Sequence, residues 1–329
     1  MSESNLPKIS IIMPVLNREN TIEKAIRSVL DQQYENVELI IIDGGSKDGT
    51  IELIKRYEKH IAYWHSKPDG SVAVASNIGI EKATGDLIAL LMGDDWYEPR
   101  ILEKIGNALI ANPDADMITC GGRIVSLDEK TQTYKVKHIY ATARKMHLNF
   151  SNICFDITAA ISCRFVRKSL YDRIGLYIPF DAHGKHIFSN DKEFLMRAIL
   201  HHVNNVFVNT IGHNYLASKD SSTFGNHKAN ILRLCYEHME IAETYIKNYP
   251  LSNTHKFLLT FWYNDQSTRL VLYTLLDCNV SGAFAIAKEG MGKYKLFWLI
   301  AFCYTTCKII AKKSLRLLHK ALWKQKQVV

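Results

Sequence analysis

Two adjacent carboxylates, Asp94-Asp95, follow the apolar run Leu87–Met92 with only Gly93 between. Like charges side by side disfavour each other's ionisation unless something neutralises them. A hard divalent cation, Mn2+ or Mg2+, does so with one or two carboxylates and leaves positions for substrate phosphates. The pair also fits a turn in which Asp95 caps the helix beginning near Pro99. A second acidic turn is Asp43-Gly44-Gly45-Ser46-Lys47-Asp48-Gly49-Thr50. Its glycines admit a nucleotide close to the backbone, with Asp43 placed to accept from a base or ribose donor. The alternative is a plain strand-to-helix turn capped by Asp48 or Thr50. It contains neither Gly-Lys-Ser/Thr nor GxGxxG, so phosphate cradling by this loop is not indicated. A third group, Ser189-Asn190-Asp191-Lys192-Glu193, opens a helical stretch. Asp191 there is either an N-cap or, facing a site, a general base.

The elements that must position these groups alternate along the first 120 residues. Strands are expected at Ile9–Val15, Val37–Ile42, Ala62–His65, Leu87–Met92 and Asp116–Cys120. Helices are expected at Thr21–Gln32, Thr50–His60, Val72–Ala83 and Pro99–Ala111. Strands alternating with helices of this length imply βαβ units and a Rossmann-like, mostly parallel sheet with flanking helices. Ligands bind such sheets beyond the carboxyl ends of the strands, where Asp43 and Asp94-Asp95 both lie. From 122 to 209 the pattern is less regular, with helices at Arg167–Ile174 and Lys192–His201 and a short strand at Val206–Val208. Beyond about Thr223 it is almost wholly helical.

The order of motifs resembles the family 2 glycosyltransferases of the GT-A fold, in particular those of bacterial surface-polysaccharide assembly. It is carried by Ser10–Asn17 (SIIMPVLN), Thr21–Gln33, Glu38–Thr50 (ELIIIDGGSKDGT), Ser76–Ile80 and Ala83–Asp95 (ATGDLIALLMGDD). It covers about residues 8–200 and is densest over 8–105. The resemblance implies that Pro14, Val15, Asn17 and Glu19 form a nucleotide-contacting loop. It also implies that Asp43, with Gly44, binds the base. Asn77 and Asp94 would contact the donor, Asp95 would hold a Mn2+ or Mg2+ ion, and Asp191 would be the catalytic base. His213 lies where some relatives carry a mobile lid with a histidine metal ligand; its other reading is an ordinary loop histidine. Two departures stand out. Asn190 replaces the usual acidic neighbour of Asp191, and Lys67-Pro-Asp-Gly-Ser-Val72 differs from the common donor loop.

The function implied is metal-dependent, inverting transfer of a hexosyl or N-acetylhexosaminyl group. The donor would be a nucleotide diphosphate sugar, uridine-linked as is commonest in the family, and the acceptor a hydroxyl of a glycan or lipid-linked glycan. The competing reading is a non-catalytic GT-A-like scaffold that binds nucleotide sugar or glycan at a membrane. The chain is expected to divide into a GT-A domain at 1–222 (nucleotide half 1–121, acceptor half 122–222), a helical region at 223–289 and a basic tail at 290–329.

The 329 residues carry 41 Lys and Arg against 33 Asp and Glu, a net charge of +8. Nine of the cations fall between Gly290 and Val329 with no acid among them, so the rest of the chain is close to neutral. Leu296–Cys307 is a twelve-residue uncharged run, against the ~20 residues that a spanning helix needs. Wound at about 100° per residue, Lys308, Lys312, Lys313, Arg316, Lys320 and Lys324 fall within one sector of roughly 160°. Such a basic amphipathic helix suits the surface of an anionic leaflet, here over 296–326, or packing on the body or on a partner subunit. The cations are not interleaved with aromatics on a groove-sized face, so no nucleic-acid partner is expected. The N-terminus has no basic segment followed by an apolar one, and seven Cys without a CxxC pair favour a reducing compartment. The expected location is the cytoplasm, peripheral to the inner membrane face, with self-association left open.

Overall fold

The structure, a computed structural model, describes residues 6–139, 146–155, 161–181, 184–218, 227–276 and 279–325, without the side chains of 227–228, 296–297 and 307–325. Contacts divide the chain into two compact units, Met1–Asn226 and His227–Val329.

Strand β1 (Ile9–Val15) is buried along its whole length. That is why its apolar run is continuous rather than alternating: both faces of the sheet are covered. It pairs in parallel with β2 (Val37–Asp43) and β4 (Leu87–Leu90), and β2 pairs in parallel with β3 (Tyr63–Ser66). The register sets Pro14 against Ile42 and Val15 against Asp43, so both strands end at one level. Helix α1 (Ile22–Leu30) turns Ile22, Ala25, Ile26 and Val29 to the core at helical spacing. Helices α2 (Thr50–Arg56) and α3 (Val72–Lys82) complete the crossovers. α3 lies close on β1: a Cβ added to Gly79 would stand 2.2 Å from Cγ2 of Ile12.

The second half of the unit is where the sheet stops being parallel. It comprises β5 (Trp96–Tyr97), α4 (Ile101–Ala111), β6 (Met117–Asp128), β7 (Thr133–Ile139), α5 (Phe150–Phe155), β8 (Arg164–Arg167), α6 (Lys168–Ile174), α7 (Asn190–Leu200) and β9 (Asn205–Leu216). The nine strands form one sheet in the order β3-β2-β1-β4-β8-β6-β9-β5, with β7 on β6. β8 runs antiparallel to both neighbours, as do β7 to β6 and β5 to β9. The sheet is therefore mixed, parallel across β3-β2-β1-β4 and again between β6 and β9. β9 extends eight residues past the expected Val208, because irregular register with β6 carries it on through His213 and Asn214. Those buried polar residues hide the strand from a hydrophobic-pattern reading.

The second unit contains α8 (His227–Asn248), α9 (Asn253–Leu276) and α10 (Val280–Gln325), the last interrupted by non-helical backbone at Tyr294 and Lys295. Trp262 and Leu270 are fully buried within it. So is Asp265, which accepts from Arg269 at 2.9 Å and Thr305 at 2.5 Å, as a buried carboxylate must. The expected boundary at 289/290 falls inside α10. Of the nine tail cations, Lys293 is committed within the unit: it lies 3.2 Å from Glu243 and 3.0 Å from Glu289. The amphipathic placement of 308–324 concerns side chains outside the described residues. Among the described residues no helix is long and apolar enough to cross a membrane.

Candidate active site

The carboxyl ends of β1 and β2 carry two loops that are laced together. Gly44 N–H donates to the Val15 carbonyl at 2.9 Å, and Asn17 N–H to Ser46 Oγ at 2.8 Å. Asn17 adopts a left-handed backbone (φ 51°), which Asn tolerates better than most residues. From there its Oδ1 accepts from Lys47 N–H at 2.9 Å. Glu19 N–H donates to Asp48 Oδ2 at 3.1 Å, and Glu19 Oε2 accepts from Gly49 N–H at 2.8 Å. Asp48 also accepts from the Thr50 N–H and hydroxyl at the start of α2. Pro14, Val15, Asn17, Glu19, Asp43 and Gly44 thus lie together at the ends of β1 and β2. Asn17, Glu19 and Asp43, however, use their side chains to fix the loops. Asp43 is fully buried; its Oδ2 accepts from Gly45 N–H (3.1 Å), Ser46 N–H (2.9 Å) and Ser66 Oγ (2.5 Å), and its Oδ1 from Ser46 Oγ.

Asp94 and Asp95 occupy the turn from β4 to β5 and point to different partners. Gly93 N–H donates to the Pro14 carbonyl at 3.4 Å, and Thr21 Oγ1 to the Gly93 carbonyl at 2.9 Å, tying the turn to β1 and α1. Asp94 Oδ2 accepts from Arg18 Nε at 3.1 Å. Burial, then the charge of Asp95, raise the Asp94 carboxyl above the usual range, and Arg18 works against both. Arg18 also donates from Nη1 to the carbonyls of Leu16 and Asn17, at 3.1 and 3.0 Å, so it bridges the first loop to the acidic turn.

Asp95 is 1% exposed. Its Oδ1 accepts from Leu216 N–H at 3.0 Å, and its Oδ2 lies 3.1 Å from His213 Nε2. His213 belongs to β9, not to a loop, and is equally buried. Burial alone would lower its pKa; the Asp95 carboxylate, with Cys163, outweighs burial and raises it to about 10. Around this pair Glu98 accepts from Arg123 (2.6 Å) and Asn214 (2.7 Å), which fixes β5 against β9. The Lys24 ammonium sits 3.1 Å from the Trp96 ring centre and 3.5 Å from that of Tyr134. Its burial brings its pKa down to about 8.

Asp191 stands in the first turn of α7, half-buried, with Oδ1 accepting from Lys192 N–H at 2.7 Å. Ser189 is the N-cap residue and makes no side-chain capping bond. α7 is anchored by a buried pair, Glu193 with Arg197 at 2.8 Å. Arg197 also donates to the carbonyls of Ile174, Gly175 and Leu176. Asn77 on α3 spends both ends of its carboxamide on one residue, donating to the Tyr177 carbonyl (2.8 Å) and accepting from Tyr177 N–H (3.0 Å). Arg18, Ser66, Glu98 and Leu216 carry no signal in the sequence, because each meets its site partner only through the folded chain.

Asp95 and His213 together offer a carboxylate and an imidazole to a divalent cation, while Asp94 is turned to Arg18. Among the described residues no group of three or more His, Cys, Asp or Glu forms a complete cation cage. An ion at Asp95 and His213 would therefore draw further ligands from a bound substrate, as a diphosphate provides.

Comparison with known proteins agrees with this architecture. A glycosyltransferase of Haemophilus influenzae, itself uncharacterized, is 43% identical over 111 residues, which cover 33% of this chain and 44% of that protein. TuaG of Bacillus subtilis, named for teichuronic acid biosynthesis, is 38% identical over 103 residues, covering 30% and 40%. The matched segments thus span less than half of these relatives. Among solved structures, Staphylococcus aureus TarS residues 1–349 with UDP-GlcNAc superposes with a TM-score of 0.59 at 15% identity, covering 88% of this chain and 90% of that one. The mannosyltransferase PcManGT of Pyrobaculum calidifontis, with GDP-Man and Mn2+, gives 0.58 at 14%, covering 94% and 87%. These likenesses establish the GT-A fold. The family model described as Glycosyl transferase family 2 matches residues 10–175, half of the sequence, and the chain belongs to that family.

Proposed function

We propose that the protein transfers a sugar from a nucleoside diphosphate sugar, uridine-linked, to a hydroxyl of a glycan or lipid-linked glycan, with inversion, in polysaccharide biosynthesis. The observation that carries this reading is the convergence of the laced β1 and β2 loops with the Asp94-Asp95 turn, bridged by Arg18. TuaG, TarS with UDP-GlcNAc and PcManGT with GDP-Man and Mn2+ support the donor class and the setting.

The loops at 14–19 and 43–50 bind and orient the nucleotide, and their cross-links keep that surface preformed. Asp95 and His213 would hold a Mn2+ or Mg2+ ion, while Asp94 accepts from Arg18. When bound, such an ion neutralises charge on the diphosphate leaving group. Asp191 takes the proton of the acceptor hydroxyl as that oxygen attacks the anomeric carbon from the face opposite the diphosphate. Asn77 and Arg197 position Asp191 by fixing the segment that leads into α7. The basic stretch of α10 places the enzyme on the anionic cytoplasmic leaflet, where lipid-linked acceptors lie.

Asp191→Asn tests the base. Transfer should fall by roughly 10²–10⁴-fold, the usual worth of a general base, while cation-dependent nucleotide binding stays near wild type. Transfer surviving at the wild-type rate would remove Asp191 from the reaction.

A further inference from the structure

Helix α9 carries a run of consecutive polar residues, Asn264–Thr268, and all of them are buried. Thr305 of α10 donates to Asp265 at 2.5 Å, and Trp298 Nε1 to Ser267 Oγ at 3.3 Å, so α10 packs on this polar stretch. Large apolar side chains of the same two helices stand outside. Phe257 of α9 and Leu299, Ile300 and Tyr304 of α10 are all exposed. Phe261 and Tyr304 meet edge to face with ring centres 5.6 Å apart, which joins the two helices into one patch. Polar residues inside and apolar ones outside is the reverse of what water alone favours. A contiguous apolar patch of this kind marks a surface for a protein or a membrane.

The helical phase of α10 fixes where the patch continues. Beyond Tyr294 and Lys295 the backbone is helical to Gln325. At about 100° per residue, the buried Trp298, Ala301 and Thr305 fall within a sector of roughly 60°. Leu299, Ile300 and Tyr304 fall on the opposite side, within roughly 140°. Counted on along the sequence, positions Ile310, Ala311, Leu318 and Leu322 share that outward sector, whereas Lys312, Arg316 and Lys320 fall nearer the sector of Trp298 and Thr305. The apolar positions of 308–324 therefore extend the line of the exposed patch, not the line that packs on α9. Seven Lys and Arg and no Asp or Glu follow Cys307.

We propose that this outward stripe of α10, with Phe257 and Phe261 beside its start, inserts into the acyl boundary of an anionic bilayer, so that apolar contact as well as charge holds the helical unit there. The proposal rests on the membrane placement given above and adds to it the face that is buried and the force that buries it. A helix lying in the interface sinks its apolar face ~5–10 Å into the boundary of headgroups and acyl chains and keeps its cations on the other face. Cations with no acid among them suit anionic lipid. A second copy of the chain covering the stripe would instead set like charge beside like charge.

The test is vesicle flotation of the full-length chain, with vesicles of phosphatidylcholine alone and with phosphatidylglycerol added. Each is run at low salt and at about 1 M NaCl, where screening leaves charges a reach of only ~3 Å. Wild type should float with the anionic vesicles in both salts, because apolar contact outlasts screening. Ile300→Glu and Leu299→Ser should each keep the wild-type melting temperature, since both positions are exposed. Each should lose roughly tenfold or more of the salt-resistant binding, the worth of one buried aliphatic side chain. Replacing Lys312, Arg316 and Lys320 together by Gln should weaken binding at low salt and leave the salt-resistant part. If high salt releases the wild type, charge alone holds it: the insertion is overturned and the membrane placement stands. Salt-resistant binding that survives in both folded variants overturns the assignment of the face. A wild type that floats with no vesicle ends the insertion and the membrane placement together, and a dimer split by Ile300→Glu would then assign the stripe to a second copy.

Discussion

His213 Nε2 lies 3.1 Å from Oδ2 of Asp95, and each side chain is 1% exposed. The strand β9 therefore supplies the acidic turn with an imidazole from 118 residues away. In a buried setting each group makes the other's charge tolerable, and a divalent cation held between them would take the place of the imidazole proton.

Replacing His213 should consequently affect cation use more than nucleotide contacts. With His213→Ala, the Mn2+ concentration giving half-maximal nucleotide binding should rise by about 10–100-fold, the loss typical when a metal site's support is removed. His213→Gln should fall between. Fluorescence titration of Mn2+ at fixed nucleotide measures this, and an unchanged midpoint would mean that His213 has no part in holding the ion.

Asn77→Ala removes both bonds to the Tyr177 backbone. A part-buried N–H and C=O then lose their partner, at about 1–3 kcal/mol. Because the clamp joins α3 to the segment before α7, the variant should also lower kcat for transfer while leaving nucleotide affinity within about threefold. Thermal melting with steady-state kinetics checks both; a loss of nucleotide affinity alone would mean that Asn77 touches the donor.

Acid stability should report on Glu38. Its carboxylate accepts from Ser10 Oγ (2.5 Å), Thr84 N–H (2.6 Å) and Thr84 Oγ1 (2.8 Å), and pairs with Lys8 at 2.8 Å. Burial would raise its pKa, but these bonds outweigh burial and bring it from 4.5 to about 2. A carboxyl whose pKa is depressed by folding stabilises the fold above its unfolded pKa and loses that contribution as pH falls through the folded one. The melting temperature should therefore drop between about pH 4.5 and 2, and Glu38→Gln should be less stable at pH 7 with a flatter profile across that window. Parallel melting curves for the two proteins would show it.

How much of this was readable in advance depended on where each residue finds its partner. Ile9–Val15 and Val37–Asp43 announce themselves because burial on both faces leaves an unbroken apolar run. The glycines of 44–49 mark the turn for the same local reason. Arg18 gave no signal, since its meaning lies in Asp94, 76 residues on. The apolar pattern marks only three residues of β9 because His213 and Asn214 are polar yet buried, their bonding needs met by Asp95 and Glu98. The antiparallel insertion of β8 between β4 and β6 depends on long-range pairing that no local pattern records. The family resemblance points Asn77 to the donor, and the fold adds what no local pattern records: its carboxamide bonds Tyr177, 100 residues away. Lys293 reads as a tail cation in sequence, whereas Glu243 and Glu289 pair with it in the fold.

The most direct measurement is nucleotide release from a panel of uridine, guanosine, cytidine and thymidine diphosphate sugars, with Mn2+, with Mg2+ and with chelator. Wild type should release nucleoside diphosphate from at least one uridine-linked sugar only when a divalent cation is present, and Asp95→Asn should abolish the release. Release that persists in chelator and in Asp95→Asn, or its absence across the whole panel, would contradict the account.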